Sequence, residues 1–492
     1  MRIRSKIAIC FARIVYHCIR LFSLGDGAAL PGSLARRIDP ELLQSLAGQA
    51  CRKIIVVMGT NGKTTVNSMI YQALSKEGKR VISNRTGANM ENGIVTAFAL
   101  GVRRKPADYA CMEVDENAAQ TILPKLEPDV ILLTNLFRDQ LDRYGEVDTV
   151  WERIRNAVSQ VPEAVLAVNC DDALLAALLP GCPNHVVAYG IEEAFMDPIA
   201  RPRVQEGTFC RFCGEKLRYS LIHYGQLGIY CCPGCGWKRP EADYRASRIH
   251  IGEEISTLKL AGRVLRPRLS APYQAYNILA AYTALEAAGA PTESFGETVD
   301  CFDYDNHREC RFIINGASVQ LYLAKNPVGF QQKLSLLCRD KRQKDIMILI
   351  NDSAQDGRDV SWLWDVEFGY LADAGAEVIV TAGTRRYDMG LRLKYENIRC
   401  QVAEDVEEAV WRLTEQGTKN LYILVNYSGL QPMNRLLERW QEEQEYLHAQ
   451  EEQEYLHAQE EQEYFRAQEE QEYFRAQEEQ EYFRAQEEED DL

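Results

Sequence analysis

No apolar stretch in this chain is both long and unbroken enough to span a bilayer. The best candidate, residues 7–24, is interrupted by Arg13, His17 and Arg20, and no small-residue signal cleavage site accompanies it. A surplus of positive charge is missing too. The 492 residues carry a formal net charge of −16, and the last 52 account for it. Residues 441–492 hold twenty Asp/Glu against three Arg, which leaves the other 440 residues at +1. Binding of nucleic acid through bulk charge is therefore disfavoured. An intrinsically acidic enzyme is excluded as well, because the acidity sits in one tail. Histidine is scarce: of seven, only His448 and His457 lie beyond His307, both inside the tail. A self-contained glutaminase needs a nucleophilic Cys on a strand–helix elbow, usually beside Gly, with a later His. Cys111, Cys170, Cys338 and Cys400 have no flanking Gly, so ammonia cannot be released from glutamine by this chain alone.

What is present is an ordinary globular composition, 46% hydrophobic and 26% charged, enough for about three domains at roughly 150 residues each. Short β-branched runs at residues 53–58, 109–114, 130–134, 165–169 and 186–189 alternate with helical patterns. That alternation predicts a largely parallel α/β sheet. A second α/β pattern follows residue 300, with strands expected at 346–350, 377–381 and 421–426. The expected organisation is a helical segment over 1–50, a large α/β domain over 51–300, whose ligand its motifs identify, and a smaller α/β domain over 301–440. A Cys/Gly-rich insertion at 203–240 and a tail over 441–492 complete it.

In the N-terminal segment Arg2, Lys6, Arg13, His17 and Arg20 fall within about 60° of one another on a helix. Two readings stand: a helix packed on its own domain, or a basic amphipathic helix against the inner membrane face. The tail repeats Glu-Glu-Gln-Glu-Tyr-Leu/Phe-His/Arg-Ala-Gln five times from Glu442 to Gln486. Its nine-residue period puts successive Tyr residues on opposite sides of a helix and gives no coiled-coil seam. A solvated helix or a partly disordered appendage is the expectation, with a partner-binding rod as the alternative.

Cysteine is abundant. Of fifteen, five lie between Cys210 and Cys235, which indicates a metal site in a reduced compartment rather than a disulfide framework. Cys210, Cys213, Cys232 and Cys235 form C-x₂-C-x₁₈-C-x₂-C, with a Gly after each pair. Four thiolates at this spacing suit tetrahedral Zn²⁺ and leave no open position, so the expected role is structural. An iron site of the same ligands is the minor alternative, and Cys231 is one residue out of phase.

Gly59-Thr60-Asn61-Gly62-Lys63-Thr64-Thr65 stands between a strand and a helix. The backbone N–H groups of such a turn cradle phosphate, the Lys neutralises it, and the Thr64 hydroxyl can hold Mg²⁺. This string resembles the Mur ligase superfamily, the peptidoglycan synthetases and the folylpolyglutamate synthases. Met112-Glu113-Val-Asp-Glu116 matches the strand end where that family holds Mg²⁺, with Glu113 as the ligand. Leu133-Thr-Asn135-Leu-Phe-Arg-Asp139-Gln140-Leu-Asp142 matches the family's Thr-Asn-x-x-x-Asp-His-Leu-Asp segment, with Gln140 in place of the metal-contacting His. Tyr276-Asn277 matches the adenine-contacting segment, with Gln274 where its first Asn would be. Arg308 corresponds to the Arg that reaches the γ-phosphate. The P-loop at residue 59 implies that the synthetases' UDP-binding domain is missing. Tyr322-Leu-Ala-Lys325-Asn326-Pro327 lacks the Asp that holds an incoming amino acid.

Within the superfamily, Arg85–Met90, Phe137–Asp142, Ala324–Gly329 and Asn351–Trp362 are similar to the MurT family, the synthetase subunits of lipid II isoglutaminyl synthase. The resemblance implies that ATP activates the α-carboxylate of D-Glu in the lipid II stem peptide. Ammonia from a GatD-type glutaminase partner then makes D-isoglutamine. It further implies that Asp359 completes the partner's Cys–His pair. Helix capping is the structural alternative for Asp359. A folylpolyglutamate-type ligase and a non-catalytic zinc-ribbon ATP-binding scaffold remain as alternatives for the whole chain.

Overall fold

The computed structural model describes residues 2–22, 27–85, 87–139, 146–195, 206–252, 255–269, 271–304, 309–353 and 356–490. Three helices come first: α1 (Ile3–Leu21), α2 (Leu30–Ile38) and α3 (Leu42–Ala50). Then β1 (Cys51–Met58), α4 (Lys63–Lys76), β2 (Val81–Ser83), α5 (Glu91–Gly101), β3 (Ala107–Glu113), α6 (Ala119–Leu126), β4 (Val130–Leu133), β5 (Val165–Asn169) and β6 (Val186–Ile191) build a parallel sheet in the order β6-β5-β4-β1-β3-β2. The parallel core agrees with the sequence expectation.

The alternation of side chains across this sheet explains its two cores. Ile55 and Val57 of β1 face one side, where Val66, Met69, Ile70, Ala73 and Leu74 of α4 meet the helix Pro272–Ala287. Val56 and Met58 face the other, against α3, α5, α6 and the helix Val147–Ser159. The apolar residues of α4 recur at helical spacing, so its buried stripe is continuous. Both faces of these parallel strands are covered, and the buried stretches of β1, β4 and β5 are apolar.

Beyond β6 the sheet continues through β9 (Tyr244–His250), β10 (Thr257–Leu260) and β11 (Arg263–Leu265), the last two pairing antiparallel. The sequence reading missed these strands, because they are short and carry Arg, Lys and His on a half-exposed face. Between β6 and β9 lies the hairpin of β7 (Arg218–Tyr224) and β8 (Leu227–Cys231). A separate six-stranded sheet follows, in the order β12 (Glu309–Ile314), β13 (Ala317–Leu323), β17 (Asn420–Val425), β14 (Lys344–Leu349), β15 (Ala376–Ala382) and β16 (Gln401–Val402). Only β12 and β13 pair antiparallel.

The final helix runs from Tyr427 to Asp490, roughly 95 Å at 1.5 Å per residue. Leu430, Met433, Leu437 and Trp440 pack its first turns on the second sheet. Beyond them the described repeat side chains from residue 445 to 477 are solvent-exposed, and Gln450 and Gln459 each donate to the Tyr hydroxyl one turn earlier, at 2.8 and 3.1 Å. No helix among the described residues is long and apolar enough to cross a membrane.

Candidate active site and metal centre

The site forms where the carboxyl ends of β1, β3 and β4 meet the start of α4. Gly59 and Gly62 both take left-handed backbone, at φ 124° and 87°. A Cβ on Gly59 would lie 2.2 Å from the Thr134 Oγ1, and one on Gly62 would lie 2.3 Å from the Asn277 Oδ1. Only glycine permits that approach, so the loop is pressed between the segment after β4 and the helix that carries Asn277.

The segment after β4 holds the loop by a ladder of hydrogen bonds. The Thr60 amide donates to the Asn135 carbonyl at 2.9 Å, and the Asn61 amide to the Asn135 Oδ1 at 2.9 Å. Asn135 Nδ2 donates back to the Asn61 carbonyl at 3.0 Å. Thr60 Oγ1 donates to the Phe137 carbonyl and accepts from the Phe137 amide. Asn135 is thus a brace for the loop's backbone. The first-turn N–H groups of any helix lack intrahelical acceptors, and α4 begins at Lys63, so the braced loop and helix end suit an anion.

Lys63 folds back over the loop. Its Nζ donates to the Gly59 carbonyl and lies 3.0 Å from the Glu116 Oε1, which also accepts from the Gly59 amide at 2.6 Å. Burial opposes the Lys63 charge. Glu116, with Glu113 and Asp115 behind it, outweighs that and raises its pKa. Lys63 is therefore an ammonium throughout the ordinary range. Burial pushes the Glu116 carboxyl up despite this partner.

Glu113 ends β3 and is buried. Its Oε2 accepts from the Thr64 hydroxyl at 2.7 Å and its Oε1 from Asn89 Nδ2 at 3.0 Å. Asn84 fixes the backbone of Glu113 by accepting from its amide and donating to its carbonyl. Three buried carboxylates (Glu113, Asp115 and Glu116) crowd the Lys63 ammonium. Such an excess of negative charge, with a hydroxyl on the carboxylate, is a donor set that fits a hard divalent cation.

The sequence reading chose Glu113 and left Glu116 without a role. A three-residue offset beyond a strand end does not show that the chain turns back onto the loop. The second α/β unit also reaches the site. Asn326 caps the helix Pro327–Arg339 and donates through Nδ2 to the Asn61 Oδ1 at 3.1 Å. Lys325 pairs with Asp139 at 2.8 Å, and Arg138 pairs with Asp365 at 3.1 Å. Asp359 lies on the segment that Asp365 ends. It is half-buried, and its Oδ1 accepts from the Ser361 amide at 2.8 Å, ahead of a short 3₁₀ turn. Gln140, Asp142 and Arg308 lie outside the described residues.

The four cysteines converge. The Cys210 and Cys235 sulfurs are 3.6 Å apart and those of Cys213 and Cys232 are 3.3 Å apart. All four lie within 4.8 Å of one another, without Cys231. Two matching turns present them: the Cys210 amide donates to the Glu215 carbonyl, and the Cys232 amide to the Trp237 carbonyl. Four thiols in this arrangement could hold a soft or borderline metal ion.

The hairpin beside this cluster touches the nucleotide side of the molecule. At its tip, Gln226 Nε2 donates to the Leu136 carbonyl at 2.6 Å and to the Asp172 Oδ1 at 3.3 Å. Asp172 in turn accepts from the Leu136 amide at 2.7 Å. The tip therefore buttresses the residue next to Asn135. Its tight turn falls in a segment that the sequence pattern marks only as an insertion.

The Mur ligase middle domain family matches residues 57–230, and the MurT ligase C-terminal family matches residues 323–430. The MurT subunit of lipid II isoglutaminyl synthase from Staphylococcus aureus (strain COL) is 33% identical over 424 residues. The match covers 84% of this chain and 93% of that protein. The chain belongs to the MurT family of Mur ligases. The corresponding subunit from Streptococcus pneumoniae (strain ATCC BAA-255 / R6) is 32% identical over 423 residues, covering 85% of this chain and 94% of that one. MurT relationship makes the chain an enzyme of the carbon–nitrogen ligase class, and the Mur ligases are ATP- and Mg²⁺-dependent. A pseudomurein peptide ligase type C from Methanothermus fervidus shares the fold, with a TM-score of 0.63 at 21% identity over 80% of each chain.

Proposed function

We propose that the chain is the synthetase subunit of a glutamine-dependent amidotransferase acting on lipid II, and that a separate GatD-type glutaminase supplies its ammonia. The observation that carries this reading is the 33% identity running along 93% of the S. aureus MurT subunit. Relationship at that length extends through both α/β units, not the P-loop alone.

In this reading Gly59 to Thr65 hold the phosphates of ATP, with Asn135 bracing the loop and Asn277 beside the adenine. The α-carboxylate oxygen of D-Glu attacks the γ-phosphorus, and ADP leaves. Ammonia then adds to the acyl phosphate carbonyl, inorganic phosphate leaves, and D-isoglutamine remains. Lys63 lies where negative charge grows on the transferring phosphoryl group, the place where a fixed ammonium contributes most. Arg308 serves the γ-phosphate from the second unit. Thr64 and Glu113 would hold Mg²⁺, which supplies charge neutralisation along the phosphate chain. Cys210, Cys213, Cys232 and Cys235 would hold a structural Zn²⁺. Asp359 would orient the partner's catalytic His. The central unit (51–300) binds ATP, the 301–440 unit closes over it, and the lipid-linked substrate places the reaction at the inner membrane face.

The test supplies the purified chain with ATP, Mg²⁺, ammonium and a D-Glu stem peptide, and reads ADP release and the amidated product by mass. Amide formation is expected. ADP release with no amide, even with the glutaminase subunit and glutamine added, would overturn the reading.

A further inference from the structure

Helix α1 has two apolar faces, and the fold uses only one. Ala8, Ile9 and Ala12 are buried against α2, α3 and α5, and Ile19 is buried on the same side in the last turn. On the opposite side Ile3, Ile7, Phe11, Ile14, Leu21 and Phe22 stand in solvent, with Ile3, Ile14 and Leu21 at 77%, 56% and 79% exposure. At 100° per residue these six span roughly 100°. Their row runs the whole length of the helix, far beyond the scattered single exposures of an ordinary surface.

The border of this stripe is basic. Lys6, His17 and Arg20 are exposed along one edge, and α1 contains no acidic residue. Arg2 meets Glu41 at 2.8 Å, while Lys6 and Arg20 have no acidic partner among the described residues. Arg13 lies on the same edge and caps the end of α5 through the Ala99 and Val102 carbonyls. The exposed Arg103 lies close enough to depress the Arg13 pKa further than burial does alone, and the exposed Arg104 and Lys105 follow it in the chain. The first 440 residues are close to neutral overall, so this is a local concentration of charge.

We infer that the outer face of α1 lies in the interface of an anionic membrane, with its isoleucines and Phe11 in the acyl boundary and its basic edge on the headgroups. A helix of this kind lies on a bilayer and does not cross it. Apolar burial and charge attraction to the headgroups act together. The inference rests on the proposed function for its purpose, since it would bring the active site to a lipid-linked substrate. The binding itself needs no catalysis.

The experiment sediments the full chain with vesicles of equal parts phosphatidylglycerol and phosphatidylcholine, and with phosphatidylcholine alone. Wild type is expected to bind the first and largely ignore the second, with binding falling as salt rises. Ile7→Gln with Ile14→Gln, and separately Lys6→Gln with Arg20→Gln, should each lower partition roughly tenfold or more. All four side chains are solvent-exposed, so thermal unfolding should be unchanged. Amidation of a lipid-free stem peptide should also be unchanged, while amidation of lipid II in vesicles falls. Equal binding by wild type and both variants, or no binding by wild type, would overturn the inference. So would a dimer that the Ile7 and Ile14 changes dissociate without vesicle binding, which would make a second copy the occupant. Absence of amidation from every substrate would count against the proposed function and leave the sedimentation result standing.

Discussion

Replacing Lys63 by Ala removes two things at once, and they can be separated. The Lys63 and Glu116 side chains are only 11% and 7% exposed, and their charges lie 3.0 Å apart. Taking away one member of such a buried pair leaves the other charge uncompensated, at about 3–5 kcal/mol. The Gly59 amide still donates to Glu116, which places the expected loss near the lower end, about 3 kcal/mol. Glu116 is already pushed up by burial, and without its ammonium it moves further. A carboxyl with a raised folded pKa binds its proton more tightly in the native state. The variant should therefore gain stability relative to wild type as pH falls toward the ordinary Glu range. Lys63→Ala with Glu116→Gln removes both charges and should return to within about 1 kcal/mol of wild type, so the coupling is about 2 kcal/mol plus whatever Glu116→Gln costs alone. Turnover behaves differently. Both variants should lose roughly 10²-fold or more in ADP release, because the loop has lost its own ammonium where charge grows on the transferring phosphoryl group. Urea unfolding and ADP release on the four proteins of the cycle measure both quantities. Full stability in Lys63→Ala alone, or recovered turnover in the double variant, would refute the reasoning.

Cys210→Ser or Cys235→Ser should lose stoichiometric zinc and lower the unfolding temperature, since a closed site loses a thiolate; metal-free wild type of full stability would refute this. Gln226→Ala should cost about 1–2 kcal/mol and raise the KM for ATP more than it lowers kcat, with bound metal unchanged; a pure kcat effect would sink the bracing role of the hairpin tip. Asp359→Asn should impair glutamine-dependent amidation in the two-subunit complex and spare the ammonium-dependent reaction, because an amide orients a His poorly; intact glutamine use would leave Asp359 as the acceptor for Ser361. Burial raises the Asp172 carboxyl from its ordinary 3.8 to about 6, so its contribution is most favourable below about pH 4 and falls by about 3 kcal/mol as pH rises through 6. Comparing unfolding of wild type and Asp172→Asn from pH 4 to 7 reads that slope, and parallel profiles would contradict it.

The features that could be read directly are those in which neighbours in sequence are also neighbours in space. A strand, a glycine turn and a helix follow one another from Cys51 to Lys76, and the chemistry of that loop is carried by seven consecutive residues. Two Cys-x-x-Cys-Gly turns each present their sulfurs through local hydrogen bonds, so spacing alone announced the cluster. Strands β1, β3, β4 and β5 of the first sheet are buried on both faces over most of their length, and their apolar runs show for that reason. Folding decided the rest, because it joins residues far apart in the chain. Glu116 became the partner of Lys63, Asn326 reached Asn61 across 265 positions, and Gln226 came to rest on Leu136 across 90. No periodicity encodes these pairings. The helical wheel of α1 displayed a basic edge, but apolar residues surround most of that helix. Only the packing of Ala8, Ile9, Ala12 and Ile19 decided which of them the core would take and which it would leave outside.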